Sequence, residues 1–364
     1  MSPSRQRNKI DVVKHTEAAI SGGGIIGLST ALELAASGLE VTVFEQGRAM
    51  AEASGAAAGM LAAADPENPE ALRPLAEFSA ALYSQFLARI EELSGESVPI
   101  RTRRALQGSP ELPEGFREMT VGELEAAAPG ITRDRLRFFS LDEESVDPRD
   151  LARALPKAAC AAGISLLEGT RITAVTEHGD TVQIETSGER WTVERLVHAG
   201  GAWAGGLSGL PIVPRKGQMV MVEEHDGAAR LEVVLRMPEV YLVPRGDGRI
   251  VIGATVEDAG FDKSVQDASI SGLLDAAASV WPPVRRARIV ESWAGLRPAT
   301  PDGLPVIDGC GERCWIAGGH FRNGILLAPG TARIVREMIL GIPPTIDISI
   351  FGCGRFAAAA LRRN

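Results

Sequence analysis

A glycine-rich segment near the start of the chain is suited to phosphate chemistry. Gly22, Gly24 and Gly27 have the spacing GxGxxG directly after the apolar run at 18–20. In this motif the first glycine permits a tight turn, the second lets backbone N–H groups approach a pyrophosphate, and the third allows a helix to pack on a strand. Glu45 follows eighteen residues after Gly27 and can accept hydrogen bonds from a ribose diol. The pattern predicts a dinucleotide site and does not separate NAD from FAD.

Two arginines and a tyrosine are candidates for binding a substrate. Arg297 lies in the sequence WAGLRP, and Arg322 lies in GHFRNG. A guanidinium in apolar, glycine-rich surroundings keeps its proton and therefore needs an anion, and its planar fork matches a carboxylate. The alternative for each arginine is a structural ion pair with Asp or Glu. Tyr241 faces away from its apolar neighbours in the alternating segment EVYLVP, and its alternative is an ordinary tyrosine of a sheet.

The elements that must position these residues follow from the apolar spacing. The run at 18–20 predicts a buried strand, 28–37 a helix that Gly38 ends, and 39–44 a second strand. Alternation in 218–223 and 239–244 predicts antiparallel strands of another sheet. Further helices are predicted at 74–93, 120–128, 148–162, 269–280 and 331–340. A second segment of small residues, 53–59, either lies flat against a planar ligand, with Ser54 facing it, or packs as a helical turn under the sheet.

These elements predict an α/β fold with two domains, which 364 residues are long enough to form. A Rossmann-like nucleotide-binding domain is expected from 18–84, 141–210 and 289–345. The second domain, built on a mostly antiparallel sheet, is expected from 85–140 and 211–288 and would bind the substrate.

Composition excludes several classes of partner. The net charge of −9 argues against nucleic acid and against an anionic membrane surface. No uninterrupted apolar run approaches the eighteen residues of a membrane span. Residues 1–17 carry charges throughout and lack the apolar stretch of a signal peptide, so we expect a frayed leader and a cytoplasmic protein.

Cysteine and histidine usage indicates neither disulfides nor a metal. The four cysteines show no disulfide framework, and Cys310 and Cys314 have no second Cys or His pair to complete four ligands. We therefore expect no metal site.

Five segments together resemble the D-amino-acid oxidase superfamily of flavoproteins. They are the glycine motif with Glu45, AEASGAAAGML at 51–61, AGGAW at 199–203, SWAGLRPATPDGLPVI at 292–307 and AGGHFRNGILLAPG at 317–330. They occur in order over 18–340, and within the superfamily the chain is most similar to the glycine oxidases of the thiamine pathway.

The resemblance implies FAD, bound non-covalently, in the nucleotide-binding domain. Monomeric sarcosine oxidases of the same superfamily carry the flavin on a cysteine just before the segment that resembles TPDGLPVI, and 293–307 contains no cysteine. The cofactor-binding residues implied by motif are Gly22, Gly24, Ile25, Ile26, Gly27, Glu45, Gln46, Glu52, Ala53, Ser54, Ala58, Gly59, Met60, Ile172, His320, Phe321, Arg322, Asn323, Gly324, Ile325 and Leu326.

The resemblance also implies an oxidative deamination. Arg297 would bind the carboxylate of a small amino acid, Tyr241 would hydrogen-bond it, and Arg322 would position the substrate. Hydride would pass from the α-carbon to flavin N5, and O2 would reoxidise the flavin, giving H2O2 and an imine that hydrolyses to glyoxylate or is passed on to thiazole synthesis. The family suggests a homo-oligomer, with a tetramer as the expected state.

One departure leaves the substrate open. Glycine oxidases tend to carry a histidine two residues before this tyrosine, and here Glu239 occupies that position. The alternatives are an oxidase or dehydrogenase of the same fold acting on sarcosine or a D-amino acid, and an FAD-binding subunit without turnover. An NAD-dependent dehydrogenase would leave the segments around Met60 and His320 unexplained.

Overall fold

A computed structural model describes residues 13–133, 135–225 and 230–356. Its helices are α1 (Ile25–Ala35), α2 (Ala53–Ala56), α3 (Arg73–Ser94), α4 (Val121–Ala127), α5 (Pro148–Ala161), α6 (Ala204–Ser208), α7 (Asp267–Val280) and α8 (Gly324–Ile339). Its strands are β1 (Lys14–Ser21), β2 (Val41–Phe44), β3 (Met60–Leu61), β4 (Ile100–Thr102), β5 (Ala105–Ser109), β6 (Arg137–Leu141), β7 (Glu144–Val146), β8 (Ser165–Leu167), β9 (Ile172–His178), β10 (Thr181–Thr186), β11 (Arg190–His198), β12 (Val213–Glu223), β13 (Val234–Arg236), β14 (Tyr241–Pro244), β15 (Arg249–Gly253), β16 (Arg288–Ala299), β17 (Val306–Gly309) and β18 (Cys314–Gly318).

The first sheet has a parallel centre and carries the glycine motif at one end. Its strand order is β17-β18-β11-β1-β2-β8, and β10 and β9 extend it from β11. Strand β1 pairs in parallel with both β11 and β2, and all four residues of β2 are buried. Helices α1, α3, α5 and α8 pack together over this sheet in one apolar core. The predicted α/β, Rossmann-like architecture is confirmed.

The second sheet is mostly antiparallel, as predicted. Its order is β16-β12-β15-β14-β13-β5-β6. Among the described strands of this sheet, β13 and β5 form the one parallel pair. Helix α7 packs against β12 and β15, and this contact closes a separate apolar core.

The edge strand β16 joins the two parts of the molecule. It pairs with β12 over almost its whole length, from Arg288 to Ala299. At its last residue, Ala299 forms an antiparallel bridge with His320, which lies just before α8. Strand β16 therefore connects the second sheet directly to the segment that precedes α8.

The predicted leader is wrong where the structure describes it. Strand β1 begins at Lys14, and Thr16 is fully buried. Charged residues do not exclude a strand here, because the backbone of 14–21 pairs in parallel with β11. The Lys14 side chain reaches solvent and forms an ion pair with Glu189 at 2.6 Å. Residues 1–12 of that prediction lie outside the described residues. Over the described ranges, no helix has the length and apolar character needed to cross a membrane.

Helix α8 begins seven residues earlier than predicted, at Gly324, and contains Pro329. Proline cannot donate to the carbonyl four residues before it, so such a position usually ends a helix. Here the Tyr83 hydroxyl donates to that orphaned carbonyl, Ile325 O, at 2.6 Å. The Ser79 hydroxyl bridges the next pair, donating to Leu326 O at 2.7 Å and accepting from Gly330 N–H at 2.9 Å. Helix α3 thus supplies the hydrogen bonds that Pro329 removes.

Two predicted domain limits meet continuous elements. The limit between 84 and 85 falls inside α3, which packs along α8 and α5. The limit between 288 and 289 falls after the first residue of β16, a strand that belongs to the second sheet. The division of the chain into domains stays a prediction.

Candidate active site

A cavity of about 520 Å³ extends from the N-terminus of α1 to the second sheet. Most residues predicted to bind cofactor or substrate line it: Gly24, Ile25, Ile26, Ala53, Ser54, Ala58, Gly59, Met60, Tyr241, Arg297, His320, Phe321, Arg322, Asn323, Gly324 and Ile325. These residues come from five separate segments, so the cavity exists only in the folded chain. Ala199 and Gly201 of the AGGAW segment also line it, and Trp203 of that segment stacks on Phe261.

The end of the cavity at α1 is suited to a phosphate. The N-cap of α1 is Gly24, which has no side chain to bind the first N–H groups. One of these, Ile25 N–H, donates to Ser54 Oγ at 3.0 Å. Free N–H groups and the positive end of the helix dipole favour an anion at this position.

Glu45 is held beside this helix end by backbone groups. Its carboxylate accepts from Gly23 N–H and from Gly47 N–H, both at 2.7 Å, and the side chain is buried. The acid therefore has a fixed orientation next to the glycine turn.

Seven predicted cofactor residues do not line the cavity: Gly22, Gly27, Glu45, Gln46, Glu52, Ile172 and Leu326. The Glu52 carboxylate instead pairs with Lys263 at 3.0 Å, and Ile172 lies in a small core with Phe44. Their roles toward a cofactor stay predictions.

Gly27 acts on the backbone geometry. A Cβ atom at this position would lie 1.9 Å from the carbonyl oxygen of Gly22. The close approach of α1 to the turn therefore requires glycine, as the motif predicts.

Arg245 fixes the small-residue segment and was not predicted. This buried guanidinium donates to Ala58 O at 2.8 Å, and Asp147 lies 3.6 Å away. Burial lowers the pKa of Arg245, and the carboxylate of Asp147 opposes that shift. An arginine at the end of an apolar strand, VPRG, is the only sequence signal for this contact.

His320, at the start of the α8 junction, is a neutral group. Its Nε2 lies 3.1 Å from Thr331 Oγ1, and burial lowers its pKa to about 3. The imidazole is therefore uncharged over the pH range in which most enzymes work. The next residue, Phe321, has a left-handed backbone with φ of 47°, which turns the chain into α8.

Among the described residues that line the cavity, Arg297 is the cation without an acidic partner. Its Nη1 donates to the carbonyl of Thr255 at 2.9 Å. Among the described residues, no Asp or Glu oxygen lies within 4 Å of this guanidinium. The side chain is half-buried and close to Tyr241, whose pKa is raised by burial and lowered in part by the guanidinium. A carboxylate ligand would complete the charge and the planar hydrogen-bonding edge of Arg297.

Arg322 has the acidic partners that Arg297 lacks. Its guanidinium lies 3.6 Å from Asp65 and 3.6 Å from Glu67. Asp65 is shared at 3.7 Å with the buried Arg236, which also contacts Glu143 at 3.0 Å. Burial raises the pKa of Glu143, and Arg236 opposes that shift. For Arg322 the geometry favours the structural ion pair, and its part in positioning a substrate stays a prediction.

Two glycines that sequence reasoning missed make room for Arg297 and Tyr241. A Cβ atom on Gly217 would lie 2.2 Å from Nη1 of Arg297, and one on Gly253 would lie 2.5 Å from the Tyr241 hydroxyl oxygen. Gly217 and Gly253 belong to the neighbouring strands β12 and β15. The two strands therefore provide a flat floor under the arginine and the tyrosine.

We expect Gly217→Ala to impair substrate binding without impairing the fold. The atoms nearest to the new methyl group belong to the end of the flexible Arg297 side chain, which can move, so the melting temperature should change little. Displacement of the guanidinium should raise KM about 10-fold or more, since a 1 Å error in a binding group can cost about 100-fold. Steady-state kinetics and thermal melting measure the two effects. The control is Gly272→Ala in α7, where an added Cβ meets no neighbour within 4 Å.

Comparison with known proteins gives the family. The model of the family described as FAD dependent oxidoreductase matches residues 17–338. The chain belongs to this family. Its cofactor is therefore FAD, and the predicted cofactor is confirmed.

Relatives of this FAD-dependent oxidoreductase include glycine oxidases. That of Geobacillus kaustophilus is 32% identical, over 93% of this chain and 97% of the relative, and that of Pseudomonas aeruginosa is 33% identical, over 90% and 96%. The crystal structure of the Geobacillus protein superposes with a TM-score of 0.88 over 94% of this chain and 99% of that one. The bifunctional protein ThiO/ThiG of Nostoc sp. is 36% identical over 89% of this chain, and the chain spans about half of that relative's length.

The cavity of this FAD-dependent oxidoreductase fits the cofactor. The glycine N-cap of α1 leaves N–H groups for the pyrophosphate, and the small residues 53–59 present no large side chain to a flat ring. No cysteine lines the cavity in the described part of the chain, so FAD has no thiol there to bond with. In the same described ranges, no group of three His, Cys, Asp or Glu side chains is arranged to hold a metal.

Proposed function

We propose that this chain is an FAD-dependent amine oxidase that deaminates glycine and other small amino acids. The observation that carries the proposal is the guanidinium of Arg297, which faces the cavity beside Tyr241 with no carboxylate within 4 Å among the described residues. Glycine oxidases at 32% and 33% identity over about nine tenths of the chain support the substrate class.

The residues of the chain act mainly by orientation. Arg297 binds the substrate carboxylate, and the Tyr241 hydroxyl, 3.4 Å from Met219 Sδ, turns to donate a hydrogen bond to it. FAD, when bound, supplies the acceptor of the hydride that leaves the α-carbon, with O2 as the final acceptor giving H2O2. Holding the reacting carbon in one orientation replaces a bimolecular encounter, which contributes about 7–11 kcal/mol in the best-placed systems. The buried, uncharged His320 shapes the wall near the flavin and takes no proton at neutral pH.

A role in thiamine synthesis is part of the proposal. Two relatives of this chain support this role. They are the bifunctional proteins ThiO/ThiG of Nostoc sp. and Trichormus variabilis, at 36% and 35% identity. The imine formed from glycine would then be consumed in building the thiazole ring. The homo-oligomer, expected as a tetramer, and the cytoplasmic location stay predictions.

The test is an anaerobic visible spectrum of the purified protein before and after glycine is added. We expect a flavin spectrum that bleaches with glycine and returns when air is admitted, with H2O2 formed in equal amount to the glycine consumed. Sarcosine, D-alanine and D-proline are compared in parallel, because Glu239 lies on the cavity wall. Bleaching by one of these and not by glycine would contradict the glycine assignment, and a flavin that no amine reduces would favour a subunit without turnover.

A further inference from the structure

The segment 255–266, which follows β15, presents the carbonyl of Thr255 to Arg297, whose Nη1 donates a hydrogen bond to it at 2.9 Å. The same segment places Val256 on the cavity wall. Much of it is exposed, including Val256 and Phe261. An exposed segment with little apolar burial needs other contacts to hold that carbonyl in one place.

Lys263 pairs with Glu52 and Phe261 stacks on Trp203, and β12 supplies a further set of contacts. Lys216 and the loop residue Glu257 exchange both backbone hydrogen bonds, at 3.0 and 2.9 Å. Gln218 donates its backbone N–H to Thr255 Oγ1 at 2.9 Å and its side-chain amide to Glu257 at 2.8 Å. Its side-chain oxygen accepts from Gln266 N–H at 2.7 Å, at the far end of the segment.

Lys216 is the charged centre of this attachment. Its side chain is fully buried, and its ammonium lies 3.4 Å from Asp262 and 3.7 Å from Glu257. A buried ammonium is stable only when acids and hydrogen bonds replace its water. The two ion pairs therefore hold the carboxylates of Asp262 and Glu257 beside β12. Gly217, the next residue, faces the other way and lies under the guanidinium of Arg297.

We propose that Lys216 is a positioning residue for the carboxylate site and that it acts through segment 255–266 on Arg297. The inference rests on the proposed function, in which Arg297 binds the carboxylate. Lys216 touches neither substrate nor flavin: it does not line the cavity. Its two ion pairs fix the segment, the segment fixes the Thr255 carbonyl, and that carbonyl fixes the orientation of the guanidinium.

The experiment measures acetate, a carboxylate without an amine, by the change it causes in the flavin spectrum of the holoenzyme. We expect Lys216→Met to weaken acetate binding about 10-fold or more and to raise KM more than it lowers kcat, because it displaces a binding group. Lys216→Arg, which keeps a positive charge beside Asp262 and Glu257, should bind acetate more tightly than Lys216→Met. Lys157→Met, an exposed lysine paired with Glu96, is the control.

A second measurement tests the route through Arg297. With the amino acid that bleaches the flavin, Lys216→Met should lower kcat/KM much less in an Arg297→Ala background than in the wild type, since coupled residues are not additive. Equal losses in both backgrounds, or wild-type acetate binding in Lys216→Met, would overturn the inference. If Arg297→Ala itself leaves acetate binding unchanged, the proposed carboxylate role fails first and this inference fails with it.

A milder variant covers the case in which Lys216→Met does not retain flavin. Asp262→Asn removes one of the two acids at an exposed position and leaves Glu257 in place. We expect acetate binding to weaken about threefold with the flavin content unchanged, because one partner of the ammonium remains. Wild-type acetate affinity in Asp262→Asn would count against the role of the two ion pairs.

Discussion

Arg297→Ala should weaken substrate binding by about 3 kcal/mol, or about two powers of ten in KM, while the purified protein stays yellow. The estimate follows from the cost of losing a hydrogen-bonded charged partner, about 1.5–3 kcal/mol for each bond, for a two-bond contact that is half exposed. The fold should not suffer, since the guanidinium donates to Thr255 O, lies beside Tyr241, and pairs with no Asp or Glu within 4 Å among the described residues.

Arg288→Ala is the matched control, because Arg288 lies on the same strand, is exposed, and pairs with Glu223. Substrate titrations of both variants, with FAD content measured by absorbance, separate binding from folding. Unchanged KM in Arg297→Ala would mean that another group holds the carboxylate, and Arg322 would be the first alternative to examine.

Gly27→Ala should give a protein that does not retain FAD. The added Cβ would lie 1.9 Å from the backbone oxygen of Gly22, and neither atom belongs to a side chain that can rotate away. Helix α1 must therefore move off the turn, which separates the N–H groups at its N-terminus from the pyrophosphate position. We expect the bound FAD per protein to fall at least about 10-fold, which corresponds to about 1.4 kcal/mol in cofactor affinity.

Gly272→Ala separates this clash from the general effect of replacing a helical glycine. A Cβ atom at Gly272 meets no atom within 4 Å, so the change should raise stability by about 0.5–1 kcal/mol and leave FAD bound. The ratio of visible to ultraviolet absorbance after gel filtration measures retention. Wild-type retention in Gly27→Ala would show that α1 has freedom to shift that the packed core around Leu28 does not suggest.

Local patterns predicted the parts of the fold that local chemistry determines. The glycine turn, α1 and β2 follow from neighbouring residues, and the structure has them. The sequence TVGE also predicts a capping box, and Thr120 and Glu123 exchange the two expected hydrogen bonds, at 3.3 and 2.7 Å. Each of these features depends on residues within a few positions of one another, so one chain is enough to predict it.

The missed features depend on segments distant in the chain. Pro329 predicts a break in α8. Only the folded structure brings Ser79 and Tyr83 to the carbonyls that lack a donor within the helix. Nothing near Gly217 indicates that Arg297 will lie over it. The apolar, glycine-rich surroundings of the two arginines predict that both need an anion. They do not predict which arginine pairs with an Asp or Glu of the same chain. Arg322 does, through Asp65 and Glu67, and Arg297 does not.

The bridge between Ala299 and His320 has a consequence for which amines can react. Arg297 lies two residues before Ala299 on one paired strand, so a continuous strand joins the proposed carboxylate site to the cavity wall at His320. Under the proposed function, the first carbon after the carboxylate then lies at one fixed depth. In a β-amino acid the amine-bearing carbon lies one bond further on and misses that depth. The strand alone would thus restrict oxidation to α-amines, without any side chain that contacts the amine.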